Sequence, residues 1–209
     1  MGTRSRTNNP EGLRSRIVDA AYDAFAKRGY NATAMQDLRD NANVSGGAFS
    51  HHFPTKKELG LFVVRNRVAV AVQTGWIEPV IDAPTAYDGI SVAFEDIIAG
   101  LETQGFVSGC PLNNMAMELA NTDDEMRYEL DCIFKAWENA IATKFESDIE
   151  KGLVKKLHPT RMATLVVASY SGAMSMAKTR QSVVPLRNSW EQLNEILKAH
   201  YIKPFDLAV

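Results

Sequence analysis

Cysteine is scarce in this chain. Its 209 residues include only Cys110 and Cys132, too few for a disulfide framework, so a reducing, cytoplasmic setting is expected. No run of 18 apolar residues occurs, which argues against a membrane-spanning helix and a membrane partner. The opening MGTRSRTNNPEGLRSR has no apolar core behind its basic residues, so it does not read as a secretory signal. Residues 1–10 read instead as a basic arm. Histidine is also sparse. Beyond the first sixty residues there are only His158 and His200, with no Ser/His/Asp or metal-ligand constellation at a recognisable spacing. An enzyme, a metal site and a cofactor are therefore not expected. Nor does charge of one sign dominate: the formal net charge is -2. That small sum hides an asymmetry. Residues 1–60 carry 9 Lys+Arg against 6 Asp+Glu, and the remainder 14 against 19. A basic head on an acidic body suits nucleic-acid binding at the head.

Strand patterns of adequate length are missing too, so the chain is expected to be all-α. Leu13, Ile17, Ala21, Ala24 and Phe25 form a helical stripe that Gly29 ends. Lys56 to about Trp76 predicts a long helix with Leu59, Phe62, Val63 and Val70 inward, followed by a loop bracketed by Pro79 and Pro84. Tyr87 to Leu101 is again helix-like. GFVSGCP, residues 105–111, is the clearest break in the body, and Pro111 suits the first turn of a short helix reaching Leu119. Thr122-Asp123-Asp124-Glu125 predicts a capping box with acids at a helix start, where the backbone dipole favours them. The helix it opens carries Met126, Leu130, Ile133, Trp137, Ile141, Phe145 and Ile149 inward and ends at Gly152. Pro159 opens a further helix to about Arg180, and Pro185 precedes the last.

The most specific stretch is Thr33 to Leu59, TAMQDLRDNANVSGGAFSHHFPTKKEL. Thr33 and Gln36 have capping-box spacing, Asn41 and Asn43 tolerate a left-handed turn, and Ser45 is a good N-cap for a second short helix. Gly46, Gly47 and Ala48 leave the start of that helix free of bulk, so it can approach a groove closely. Phe49 and Phe53 face inward, with Ser50, His51 and His52 outward. Thr55 and Glu58 repeat the capping-box spacing and start a third helix. Two short helices joined by a turn, the second polar on its outer face, make a helix-turn-helix.

The run Val44-Ser45-x-Gly47-Ala48-Phe49-x-His51-His52-Phe53-Pro54-Thr55-Lys56-x-Glu58-Leu59 closely resembles the DNA-binding signature of TetR-family transcriptional repressors. Ala20-Ala21, Phe25 and Gly29-Tyr30 resemble that family's first helix. Three positions depart from the pattern: Ser50 stands where an aromatic, usually Tyr, is found, Gly46 where a longer residue is common, and Arg39 where a small one is usual. The resemblance implies an N-terminal three-helix DNA-binding domain, residues 1–55, and a helical effector-binding and dimerisation domain, residues 56–209. It implies a homodimer bound to a double-stranded, palindromic DNA operator and released by a small-molecule effector. The implied DNA surface comprises Thr33, Gln36, Ser45, Gly46, Gly47, Ala48, Ser50, His51, His52 and Lys56. Within it Gln36 lies near a base or phosphate, Ala48 near base edges, and His51, His52 and Lys56 against the backbone.

For the body, the resemblance implies an apolar effector pocket. Trp76, Phe94, Ile98, Met115, Met117, Trp137, Tyr170 and Met174 are its candidate lining, with Asn113, Asn114 and Glu118 as polar anchors. Plain core packing is the competing reading for each. Cys110 precedes Pro111 at a helix start, where the dipole can lower a thiol pKa, so a redox or electrophile switch is the alternative function. A small buried hydrophobe is its bland counterpart. The small-residue run containing Ala168, Gly172 and Ser175, with the stripe Trp190, Leu193, Leu197 and Tyr201, is the candidate dimer interface; burial within one subunit is the other possibility.

Overall fold

The computed structural model describes residues 10–155 and 157–202. The basic arm of residues 1–10 lies, apart from Pro10, outside them. The architecture is all-α, as expected. Helix α1 (Pro10–Arg28) buries Ile17, Ala21, Ala24 and Phe25 and ends at Gly29, whose φ of +92° only glycine adopts without strain. The next two helices, α2 (Met35–Asn41) and α3 (Gly46–His52), are joined by a turn with Asn43 at φ +52°. Ser45 caps α3 through the Ala48 amide, and Phe49 and Phe53 are buried beneath it. The capping box expected at Thr33 is not formed. Helix α2 starts two residues later, behind Ala34, and the Thr33 hydroxyl donates to the Gly29 carbonyl at 2.7 Å instead. Gln36 turns the other way, donating to Asp40 at 3.0 Å.

Thr55 and Glu58 do form their capping box, and the chain then runs as one continuous helix over 56–82. It comprises α4 (Lys56–Val63), α5 (Ala69–Val72) and α6 (Glu78–Asp82), separated by π-helical turns at Val64–Val68 and Gln73–Ile77. Pro79 therefore lies inside the helix, contrary to the predicted loop. A proline ring crowds the carbonyl four residues back, here Gly75, and the wide turn over Gln73–Ile77 makes room for it. Val70, expected inward, is half exposed.

The body packs α7 (Ala86–Gln104), α8 (Pro111–Leu119), α9 (Asp124–Glu150), α10 (Pro159–Arg180) and α11 (Val184–His200) around the linker helix. Positive φ angles at Gly105, Gly109 and Gly152 occupy the predicted breaks. Helix α9 is capped by Asp123, which accepts from the Glu125 and Met126 amides; Thr122 bonds back to Leu119. The cap is thus one residue later than expected, and Ile149 of its stripe is exposed. An isolated bridge, Val154 with Tyr201, ties the end of α11 to the turn after α9. Beside it the buried Asp148 carboxylate accepts from the Tyr201 hydroxyl at 2.6 Å and the Ala86 amide at 2.7 Å.

Helix α11 corrects the expected dimer interface. Trp190 stacks on Phe94 at 4.8 Å, Leu193 and Leu197 are buried, and Tyr201 is half-buried and hydrogen-bonded. These four residues pack inside their own subunit, because the apolar stripe of a terminal amphipathic helix closes the core. Ala168, Gly172 and Ser175 lie on the opposite, exposed face of α10.

Candidate nucleic-acid interface and body cavity

Helix α3 presents a low polar surface. Ser45, Gly46, Gly47, Ser50 and His51 are exposed, and Ala48 and His52 are half-buried. Among the described residues a side chain added at Gly47 would touch nothing within 4 Å, so this face is open. At Gly46 the case differs: a Cβ there would lie 3.4 Å from the Arg39 guanidinium. Arg39 also contacts Asp40, with Nε 3.3 Å from its carboxylate. The two departures at Arg39 and Gly46 therefore belong together, the arginine using room that the glycine leaves.

Behind α3 the head is joined to the body around Gly29-Tyr30-Asn31. Glu118, near the end of α8, accepts from the Tyr30 amide at 3.1 Å and the Asn31 amide at 2.8 Å. Its carboxylate occupies the place of a side chain at Gly29, where a Cβ would come within 2.4 Å of it. The Lys56 ammonium sits 4.5 Å over the Tyr30 ring and donates to the Asn31 carbonyl at 3.3 Å. Burial pulls its pKa below the ordinary lysine value, against the opposing pull of Glu118. Gly60 admits Tyr30 and the Met126 methyl, each 2.6 Å from where a Cβ would stand. Lys57 with Asp123 at 2.9 Å, and Arg65 with Glu129 at 2.6 Å, add exposed ion pairs along the same seam.

The body holds a partly open cavity of about 150 Å³. Trp76, Trp137 and Tyr170 form its aromatic wall, with ring centroids 4.7 to 5.6 Å apart at steep angles. Val68, Ala71, Val72 and Gly75 come from the linker helix and Ile97 from α7; Cys110, Pro111 and Leu112 come from the start of α8. Among the described residues the Trp137 indole N–H is buried without a hydrogen-bond partner, and that of Trp76 is buried beside the Tyr170 hydroxyl. Burial pushes the Cys110 thiol up, although the Asn113 and Leu112 amides pull the other way, and burial raises the Tyr170 hydroxyl further still.

Residues 17–61 match the family described as "Bacterial regulatory proteins, tetR family". Residues 86–192, more than half the chain, match "Transcriptional regulator LmrA/YxaF-like, C-terminal domain". The chain belongs to the TetR family of transcriptional regulators. Among its relatives is the HTH-type transcriptional repressor DhaR of Mycobacterium sp. strain GP1, 28% identical over 83% of this chain and 86% of that protein. NemR of Escherichia coli, another HTH-type transcriptional repressor, is 22% identical over 88% of this chain and 93% of its own length. In structure, a TetR regulator from Chloroflexus aurantiacus superposes with a TM-score of 0.83, at 23% identity, over 92% of this chain and 97% of that one. Reduced E. coli NemR gives 0.80 at 20% identity, over 95% and 100%.

Against this TetR-family frame the expected residues separate. Gln36, Ser45, Gly46, Gly47, Ala48, Ser50, His51 and His52 share the outer side of α2 and α3. Thr33 does not join them: it is 1% exposed, its hydroxyl spent on Gly29. Lys56 is drawn into the head–body joint by Tyr30 and Asn31 rather than standing on the α3 face. In the body, Trp76, Cys110, Trp137 and Tyr170 meet at the cavity, while Phe94, Ile98, Met115 and Met174 are buried outside its wall. Met117 is 80% exposed, because it lies on the solvent side of α8. The proposed anchors are elsewhere: Asn113 donates to Ser175, Asn114 to the Ser108 carbonyl, and Glu118 faces the head. Of the linker-helix wall only Trp76 was expected; the small pair Ala71 and Gly75, four apart, is the signal that marks the rest.

Proposed function

We propose that the protein is a homodimeric repressor that holds a partly palindromic operator and releases it when a small apolar or aromatic molecule occupies the cavity. Residues 1–55 form the reading head and 56–209 the effector and dimerisation body, in the cytoplasm. Each subunit sets α3 into a major groove, where Ser45, Gly46, Gly47, Ala48, Ser50, His51 and His52 meet bases or phosphates, with Gln36 beside them. The relative DhaR is a transcriptional repressor by name, which agrees with this reading. For the two-fold interface, α10 offers Leu165, Ala168, Gly172, Ser175 and Met176 and α11 offers Val184 and Ile196, all exposed in the subunit.

One observation carries the release mechanism. Helix α8 begins in the cavity wall at Pro111 and Leu112 and ends on the head through Glu118. Its nine residues cover about 12 Å as a single rigid piece. A molecule that favours a displaced α8 therefore favours a displaced head, and a tenfold loss of operator affinity needs about 1.4 kcal/mol of such preference. Cys110 in the same wall supports a cysteine switch as second reading, but its 5% exposure and raised pKa weigh against a reactive thiolate. Linkage tests the main reading: operator must weaken binding in the cavity by the factor with which the cavity ligand weakens operator binding. Two chains per operator duplex are expected in sedimentation. A cavity ligand without effect on operator affinity would end the release mechanism.

A further inference from the structure

We propose that Arg39, on α2, reads a guanine in each half of the operator, and that Asp40 positions it. This rests on α3 entering the major groove. The start of α3 is bare: Gly46 and Gly47 are exposed, and Ala48 adds a single methyl. A base is discriminated best by a side chain that makes two hydrogen bonds to its edge, arginine or lysine to guanine and asparagine or glutamine to adenine. None of these four types stands on α3, whose sequence is GGAFSHH. Arg39 supplies one from the neighbouring helix. Its guanidinium lies over Gly46, with Nη1 3.4 Å and Cδ 3.8 Å from where a Cβ would stand. It thereby fills the space into which a longer residue at 46 would project.

The guanidinium is also oriented. Nε at 3.3 Å and Nη2 at 3.4 Å donate to one oxygen of Asp40, which takes the two N–H groups along one side of the fork. Gln36 holds the same carboxylate, its Nε2 donating to Oδ2 at 3.0 Å. Three of the five N–H groups of Arg39 remain, and among the described residues Nη1 has no hydrogen-bond partner. One on Nη1 and one on Nη2 point forward in parallel, the pair that matches O6 and N7 of guanine. Arg39 keeps 32% of its side-chain surface open, and Gln36, Asp40 and Gly46 around it are exposed. An aspartate on this face repels phosphates, but by fixing Arg39 in one orientation it sharpens the reading.

Fragments that the full chain retains from random DNA, once sequenced, supply the half-site, and each of its G·C pairs is then changed to A·T. One such change per half-site should weaken native binding by about 5–150-fold. Arg39→Ala should bind the changed and unchanged sequences equally at that position and keep the other preferences. Asp40→Asn should narrow the ratio while binding every sequence more tightly, since a negative charge leaves the face. Melting temperatures show that the variants fold; if Arg39→Ala melts early, Arg39→Met, which keeps the stem over Gly46, takes its place. A guanine preference unchanged without Arg39 overturns the proposal. Equal weakening of all sequences, with the salt slope reduced by about one, makes Arg39 a phosphate contact and overturns it too. Either result leaves α3 in the groove. An unchanged ratio in Asp40→Asn removes the positioning role. If the native protein retains no specific sequence, the operator reading itself falls.

Discussion

Replacing Glu118 by Ala should loosen the joint between body and head without unfolding either. The carboxylate accepts two backbone amides from a segment 87 and 88 residues away in sequence, at 2.8 and 3.1 Å. Both contacts are charge-assisted, but the Asn31 bond is solvent-exposed and the Tyr30 bond only part-buried, which reduces their worth. Together they stabilise the joint by about 1–2 kcal/mol. Their loss exposes the amides of Tyr30 and Asn31 and leaves the Phe25, Leu38 and Phe49 core of the head intact. Amide exchange at these two positions should accelerate by about 5–30-fold, the Boltzmann equivalent of that energy. The melting temperature should fall by about 2–8 °C. Binding in the cavity should persist while its effect on operator affinity falls by a similar factor. Glu118→Gln, which keeps one acceptor oxygen, should be intermediate. Unchanged exchange at Tyr30 and Asn31 would refute the clamp, and full release by a cavity ligand in Glu118→Ala would refute its part in coupling.

Three further outcomes follow from the same contacts. Asp148→Ala should destabilise the body by about 2–4 kcal/mol in thermal or denaturant melts, because it strands the buried Ala86 amide and removes the Tyr201 hydroxyl's partner. Asp123 has a pKa held below its ordinary value of 3.8, first by Lys57 and then by the Met126 amide. A depressed carboxylate contributes stability above its unfolded pKa and loses it as pH falls through the folded one. Acid should thus loosen the α9 cap below about pH 4, and Asp123→Asn should remove that part of the pH dependence. In native protein, Cys132 should react with a thiol reagent quickly and buried Cys110 only after unfolding. Preferential labelling of Cys110 would instead revive the cysteine-switch reading.

Much of the fold was legible because it is encoded locally. Ser45, the Thr55–Glu58 pair, Asn43 and the glycines at 29, 105, 109 and 152 act within a few residues of themselves, and each stands where the pattern predicts. Thr33 misled because its hydroxyl has two nearby choices, a helix start or the Gly29 carbonyl, and spacing cannot rank them. Pro79 misled because a π turn four residues earlier absorbs it. Trp190, Leu193 and Leu197 form the same stripe whether the helix buries it in its own core or against a second subunit. Glu118 illustrates the deeper limit. On α8 it looks like a polar residue beside the aromatics, and only the folded chain brings Tyr30 and Asn31 to it. The cavity has a similar origin, its wall drawn from the linker helix and from α7, α8, α9 and α10, no one of which carries a recognisable pocket motif.

The repressor reading requires that the open face of α3 recognise a specific DNA sequence. Selection of bound fragments from random DNA, with sequencing of what is retained, tests it most directly. Gly47→Glu is the paired control: its side chain enters open space, so the fold is undisturbed, while a negative charge is set on the reading face. The native protein should enrich a partly palindromic sequence with half-sites about one helical turn, or a multiple of it, apart, and Gly47→Glu should lose it at unchanged melting temperature. No enriched sequence from the native protein at low salt, or the same sequence recovered by Gly47→Glu, would contradict it.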